Sequence, residues 1–366
     1  MLTNGLGETL AREVQGSSRF VDLFTGSGAV AWHMALTYEV TVVATDLQQF
    51  SVNLADAVLS RTRAASGDWV ARWLERARSS VEKGPHYSAA RAIQDRVPKN
   101  SIRTAAQDAR KLCMGDGGPI FNAYGGYYFS PLQALYLDAL RVHLPQNAGH
   151  ATVALAALIQ TASRCSASPG HTAQPFKPNK TAGPFVVEAW MRDPLSLVED
   201  AALALAPLHA KVKGEARKSD ALDMAAQLKE GDLVFLDPPY SGVHYSRFYH
   251  VLETLASGQR VTVSGTGRYP PSEERPRSDY SIISKSEAAL KQLLATLAET
   301  GCSVIITFPA GEASNGLSGD TVVEVAAQYF SIKTMKVSSR FSTLGGNLSN
   351  RDARLNAEEL ILTLRP

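Results

Sequence analysis

Phe20-Val21-Asp22-Leu23-Phe24-Thr25-Gly26-Ser27-Gly28-Ala29-Val30-Ala31 reads as a strand that runs into a glycine-rich turn and then a helix. The strand takes residues 20–24 and the helix residues 29–37. Val40-Thr41-Val42-Val43-Ala44-Thr45 is a second strand, ending at Asp46, and a helix over residues 51–64 comes next. This pattern predicts a βαβ unit. Its parallel strands need a helical crossover, and the usual handedness leaves the strand ends on one edge. Ligands of such sheets bind at the carboxyl ends of the strands.

Gly26 and Gly28 permit a tight turn that approaches a ligand closely. Their number is too small for a dinucleotide fingerprint, and Asp22 precedes them. A carboxylate there repels a pyrophosphate and attracts an ammonium. Asp46, at the end of the next strand, suits two ribose hydroxyls. A nucleoside with a cationic amino-acid tail therefore fits the pair. The competing reading is a solvent-facing turn and an ordinary strand-end aspartate, with Phe24 in the core.

Far downstream, the apolar run Leu233-Val234-Phe235-Leu236 leads directly into Asp237-Pro238-Pro239-Tyr240. An exocyclic amino nitrogen of a base is a poor nucleophile, because its lone pair is delocalised into the ring. Asp237 can accept one amino hydrogen and the Pro238 carbonyl the other, which orients the nitrogen toward an electrophilic methyl. Consecutive prolines stiffen the loop, and Tyr240 offers a face for an extruded base. Alone, the tetrapeptide also reads as a tight turn; its place after a buried strand favours the chemical reading. Next, His244-Tyr245-Ser246-Arg247-Phe248-Tyr249-His250 opens as an aromatic loop and becomes a helix. Phe248 reads as a wall of the base pocket or as a core partner of Leu252, and Arg247 as a phosphate contact.

Composition suits a folded enzyme. The chain has 366 residues, is 45% hydrophobic and 20% charged, and has a formal charge of +2. That balance argues against global disorder and leaves a nucleic-acid partner to local basic faces. No apolar run is long enough to span a membrane, and Cys113, Cys165 and Cys302 are too scattered for a disulfide framework or a metal knuckle. The expectation is a cytoplasmic protein without a metal site.

Between the two motifs lies a long segment with Trp69, Trp73, Leu74 and Val81 on one helical stripe and Arg72, Arg76 and Arg78 on its polar side. Residues 121–130 are rich in aromatics and glycine; Ser130 and Pro131 look like a cap and first-turn residue for a helix over 132–144. A helix over 153–161 precedes a polar loop that carries His171, Lys177 and Lys180. Tyr124 and Lys177 are candidates for base and phosphate contacts, although core packing explains the aromatics equally well. His171 reads as a loop hydrogen-bonder. Residues 199–211 look helical and the charged run 211–218 like a solvated junction. Asp220 is either a helix cap or, if it lies beside Asp46, an acceptor for a cofactor's adenine amino group. Helices over 286–299 and 322–329 and strands over 303–308, 332–338 and 359–364 complete the α/β pattern, with a hairpin or polar lip at 340–347.

Together, Asp22-Leu23-Phe24-Thr25-Gly26-Ser27-Gly28 and Asp237-Pro238-Pro239-Tyr240, in this order, resemble the Dam-like, D12-class adenine-N6 DNA methyltransferases in their alpha arrangement. The resemblance covers most of residues 18–262. It implies an S-adenosylmethionine-dependent methyltransferase with a Rossmann-like sheet and an inserted, mostly helical target-recognition lobe. The cofactor positions carry over to Asp22, Phe24, Thr25, Gly26, Ser27, Gly28, Asp46 and Asp220, and the catalytic ones to Asp237, Pro238, Pro239 and Tyr240. Expected domains are 1–67 and 199–366 for the catalytic part and 68–198 for the insertion. The expected substrate is adenine N6 in double-stranded DNA, flipped out of the helix. Cytosine N4, RNA adenine, or a catalytically weak nucleic-acid-binding subunit are the alternatives. Expected partners are DNA and a cognate restriction endonuclease, with no membrane and a monomer or weak dimer. One departure stands out: the family's aromatic and Gly-Gly-Lys start is replaced by Leu2-Thr3-Asn4-Gly5-Leu6-Gly7-Glu8-Thr9-Leu10, without a lysine.

Overall fold

Strands separated by turns and helices, most of them apolar, assemble here into one seven-stranded sheet. A computed structural model describes residues 2–98, 101–342 and 354–366. The strands are β1 (Arg19–Asp22), β2 (Thr41–Asp46), β3 (Glu215–Lys218), β4 (Asp232–Leu236), β5 (Ser303–Pro309), β6 (Ser331–Ser342) and β7 (Arg354–Arg365). Their order is β3-β2-β1-β4-β5-β7-β6. Neighbours from β3 through β5 pair in parallel, and β7 runs antiparallel to both β5 and β6. The chain is thus a mixed α/β fold with a central sheet flanked by helices. The turn expected at 340–347 falls largely outside the described residues.

By contact density the chain forms two compact units. One comprises Met1–Thr62, His209–Tyr245 and Pro276–Pro366; the other comprises Arg63–Leu208 and Ser246–Arg275. The first holds the sheet. β4 is buried at every position, as a central parallel strand covered on both faces must be. Its core gathers Val21, Leu23, Val43, Val234, Leu236, Val304, Ile306 and Leu362, among others. At the amino ends of β1 and β4, Arg19 grips Asp232 with Nε and Nη2 at 2.9 and 2.5 Å, which pins the register of Arg19 against Asp232.

The second unit is helical. Its helices include Asp68–Glu82, Tyr87–Arg96, Ile102–Leu112, Pro119–Tyr124, Pro131–Val142, Ala148–Cys165, Gly183–Trp190, Pro194–Leu205 and His250–Ser257. Ser130 caps Pro131–Val142 in a reciprocal capping box with Gln133. Trp73, Trp190, Phe121, Tyr124, Tyr128 and Phe129 are fully buried.

Two expectations change. The alanine- and leucine-rich helix ends at Leu205 rather than 211, and the charged run beyond it is not a mere junction: Glu215–Lys218 is the edge strand β3, paired with β2 from Val43 to Asp46. Edge strands tolerate such charges because one side faces solvent. The amino-terminal stretch Leu2–Leu6 is a π-helix that leads into helix Gly7–Glu13, with Leu6 and Leu10 buried. Among the described residues, no helix is long and apolar enough to cross a membrane, and no cluster of His, Cys, Asp or Glu could hold a metal ion.

Candidate active site

The order of the sheet locates the site. The chain moves outward from β1 to β2 and β3 on one side, and from β4 to β5 on the other. The crevice at such a switch point lies beyond the carboxyl ends of β1 and β4. Asp22 closes β1 and Asp237 follows β4 directly.

Beyond Asp22 the backbone divides its hydrogen bonds between the two neighbours. Leu23 N donates to Phe235 O at 3.2 Å, and Thr25 N to Thr45 O at 3.1 Å. The chain then turns through Gly26 and Gly28, whose φ values are 53° and 80°. Only glycine adopts such values without strain. Gly28 immediately precedes helix Ala29–Thr37, and a Cβ there would meet Trp32 Nε1 at 3.4 Å and Ala55 at 3.5 Å. Thr25 Oγ1 ties the turn back to Asp22 O at 3.3 Å; Gly26 and Ser27 form its exposed lip.

Asp46 holds this turn in place. Its Oδ2 accepts from Gly26 N and its Oδ1 from Gln48 N, each at 2.9 Å. β3 brings Asp220 alongside: Lys218 is in register with Asp46, and Ser219 N donates to Asp46 O at 3.1 Å. Asp220 is also a helix cap, accepting from Leu222 N at 2.9 Å. Its two sequence readings are therefore compatible. Phe24 meets Tyr280 edge to face with ring centroids 5.0 Å apart, and burial raises the Tyr280 hydroxyl pKa, with Asp220 adding to the rise.

Asp22 is almost wholly buried and accepts from Phe24 N at 3.2 Å. Burial holds its carboxyl well above the usual range, opposed by the Phe24 bond and reinforced by Asp237 and Asp46. A buried carboxyl in this state gains most from a cation. Two left-handed glycines, a strand-end carboxylate and a buried acid that gains from a positive charge fit the ribose and cationic tail of a nucleoside cofactor.

Asp237 is only partly screened from water at its surface, yet it is packed densely enough that burial pushes its carboxyl up to about 7. Thr307 Oγ1 opposes this by donating to Oδ1 at 3.0 Å, and Glu359 adds to the rise. Thr307 sits one residue beyond the Leu236–Ile306 register pair. Asn315, fully buried, donates through Nδ2 to Pro239 O at 2.9 Å and to Tyr280 O at 3.0 Å. Gly242 N donates to Ser314 Oγ at 3.1 Å, and a Cβ on Gly242 would collide with Ser314 O. The Asp237–Tyr240 loop is thereby locked to the loop after β5. Tyr240 and Phe24, both half-buried, pack against the same core cluster.

The structure thus gathers Asp22, the 24–28 turn, Asp46, Asp220, Asp237, Pro238, Pro239 and Tyr240 at one sheet edge. Thr307, Asn315, Tyr280 and Glu359 complete it and were absent from the sequence expectation. A polar residue near the end of a buried strand, as Thr307 is, was the available signal.

The remaining candidates lie in the helical unit or at its border. Arg247 is exposed, with its guanidinium 4.7 Å from the Tyr269 ring centroid. Phe248 is half-buried, 5.0 Å from the His171 ring. His171 is indeed a loop hydrogen-bonder, accepting at Nδ1 from Ala173 N at 3.1 Å. Lys177 is exposed. Tyr124 is corrected: its ring is fully enclosed and its hydroxyl pairs with Thr254 Oγ1 at 2.8 Å, so it has no open face for a base. Tyr127 is the partly exposed aromatic of that segment.

The chain is 23% identical over 289 residues, 75% of its length, to Modification methylase LlaI of Lactococcus lactis subsp. lactis, and the match covers 39% of that protein. The chain therefore spans about two fifths of the relative's length. The model of the D12 class N6 adenine-specific DNA methyltransferases matches residues 3–112 and 164–297, together more than half of the chain and including both loops of the site. The chain belongs to the D12 class N6 adenine-specific DNA methyltransferase family.

Proposed function

We infer that this protein transfers a methyl group from S-adenosylmethionine to adenine N6 in double-stranded DNA. The observation that carries the reading is the juxtaposition of the Asp22–Gly28 turn with Asp237–Tyr240 at the β1/β4 switch point. Bound S-adenosylmethionine supplies an electrophilic methyl carbon on a sulfonium. Asp22 neutralises the cationic tail, Asp46 accepts from the ribose hydroxyls, and Asp220 from the adenine amino group of the cofactor. Gly26 and Gly28 let the turn approach closely.

On the substrate side, Tyr240 stacks on the flipped base. Thr307 occupies Oδ1 of Asp237, which leaves Oδ2 to accept one amino hydrogen while the Pro238 carbonyl accepts the other. Asn315 fixes the loop through the neighbouring Pro239 carbonyl. The methyl group would pass to the nitrogen as its bond to the sulfonium sulfur breaks, the bonding pair staying on sulfur, and the nitrogen would give up one proton. A carboxyl held at about 7 is matched to receive it near neutral pH.

The helical unit, residues 63–208 and 246–275, is the target-recognition lobe in this reading, with Arg247, Phe248 and Lys177 toward DNA. The relative's name, a modification methylase, supports a cognate restriction endonuclease as partner; the chain acts as a monomer or weak dimer. The test is incubation with labelled S-adenosylmethionine and mixed-sequence duplex DNA. Label should enter the DNA, and Asp237→Ala should lower incorporation about 10²–10³-fold while cofactor binding persists. Duplex binding without any incorporation would instead mark a nucleic-acid-binding subunit.

A further inference from the structure

The helical unit contains a cleft of about 600 Å³, within the roughly 300–1,000 Å³ of ligand sites. Arg103, Gln107, Arg110, Tyr127, Lys177 and Asn179 are among the residues that line it. The first three belong to helix Ile102–Leu112, and their spacing of four and three residues places them on one face. The opposite face buries Ala105, Ala106 and Ala109. Three cations line the cleft and, among the described residues, no carboxylate does. Arg103, Gln107 and Lys177 are exposed.

Tyr127 is held rather than loose. The guanidinium carbons of Arg110 and Arg268 lie 4.3 and 4.6 Å from its ring centroid. Arg110 Nε is anchored on Gly126 O at 3.0 Å. Arg268 donates to Ala123 O at 2.8 Å and to Asn122 O at 3.3 Å. Its φ of 56° makes it the one non-glycine residue with a left-handed backbone among those described. Such strain persists only where surrounding structure imposes it, and it concentrates at ligand sites.

We propose that this cleft takes one nucleotide of the bound DNA, with Arg103 and Lys177 on its phosphate and Gln107 on its base edge. The proposal rests on the reading that the chain acts on DNA. Excess positive charge among the described residues that line the cleft suits a phosphate. A glutamine amide matches the adenine N6 and N7 pair.

The experiment uses the full chain with Arg103→Ala, Lys177→Ala and Gln107→Ala, each checked for an unchanged melting temperature. Duplex binding is read by fluorescence anisotropy across a salt series, and the methylated sites are mapped. Removing either cation should weaken binding to all duplexes by about 3- to 10-fold and reduce the salt slope by about one. Gln107→Ala should relax one base position of the mapped site by about 5- to 150-fold. Variants that bind and methylate as the parent does would overturn the proposal and leave the proposed activity standing. Lost affinity for RNA or a free nucleoside triphosphate, with duplex binding intact, would overturn it as well. A parent chain that binds S-adenosylmethionine but neither binds nor methylates DNA would remove the proposed function, and the cleft assignment with it.

Discussion

Replacing Asp237 with asparagine should stabilise the cofactor-free protein, and only above acid pH. The folded carboxyl sits at about 7 against an ordinary value of 3.8. Below about pH 4 both folded and unfolded chains hold the proton, so the carboxyl contributes no difference. From there to neutrality the unfolded chain ionises while the folded one does not, and stability falls. At about 1.4 kcal/mol per pH unit the upper bound on the loss is about 4 kcal/mol. Water reaches part of the side chain, which reduces the expected value to about 2 kcal/mol. Asparagine keeps an acceptor for Thr307 Oγ1, so the bond at 3.0 Å survives while the ionisation cost is removed. Asp22 acts in the same direction, because Asp237 is one of the charges that raise it. Urea unfolding of parent and variant at about pH 4, 6 and 8 reads the difference. It should be small at the first and near its maximum at the last. A difference that does not change with pH would refute the claim that the carboxyl is destabilised by burial.

Gly28→Ala should cost about 1–2 kcal/mol of stability and weaken cofactor binding, because a φ of 80° is strained for alanine and the Cβ meets Trp32 and Ala55; thermal unfolding and cofactor titration check both. Cofactor binding at mildly acidic pH should release a proton from Asp22, whose carboxyl is raised in the free protein, so affinity should increase with pH toward that group's folded value. Calorimetry in buffers of different ionisation enthalpy measures the release, and Asp22→Asn should abolish it. Thr307→Val removes the one bond that lowers the Asp237 carboxyl, so the acidic limb of the kcat profile should move up by about half to one pH unit with little change in KM.

The first βαβ unit was legible because it combines an apolar strand, glycines where φ must be positive and a strand ending in an acid. Asp237–Tyr240 was legible because an all-buried strand delivers it to the same edge. β3 was not: Glu215-Ala216-Arg217-Lys218 carries no apolar alternation, and only its pairing with β2 makes it a strand. Helix Ile102–Leu112 escaped for a related reason, since its buried face consists of alanines. Thr307, Asn315 and Glu359 lie 70, 76 and 122 residues beyond Asp237, Pro239 and Asp237 respectively. Sheet register and loop packing bring them to the site, and no local pattern encodes either. Tyr124 and Tyr127 differ in fate because tertiary packing encloses one and leaves the other partly open, a distinction that an aromatic-rich segment does not carry in its composition.

The central claim is that one sheet edge brings a cofactor methyl to the amino group of adenine. Nucleoside analysis of duplex DNA after incubation with the protein and methyl-labelled S-adenosylmethionine tests it most directly. The label should appear in N6-methyladenine, with incorporation lost in Asp237→Ala. Label in N4-methylcytosine, label in RNA adenine alone, or undiminished incorporation by Asp237→Ala would contradict it.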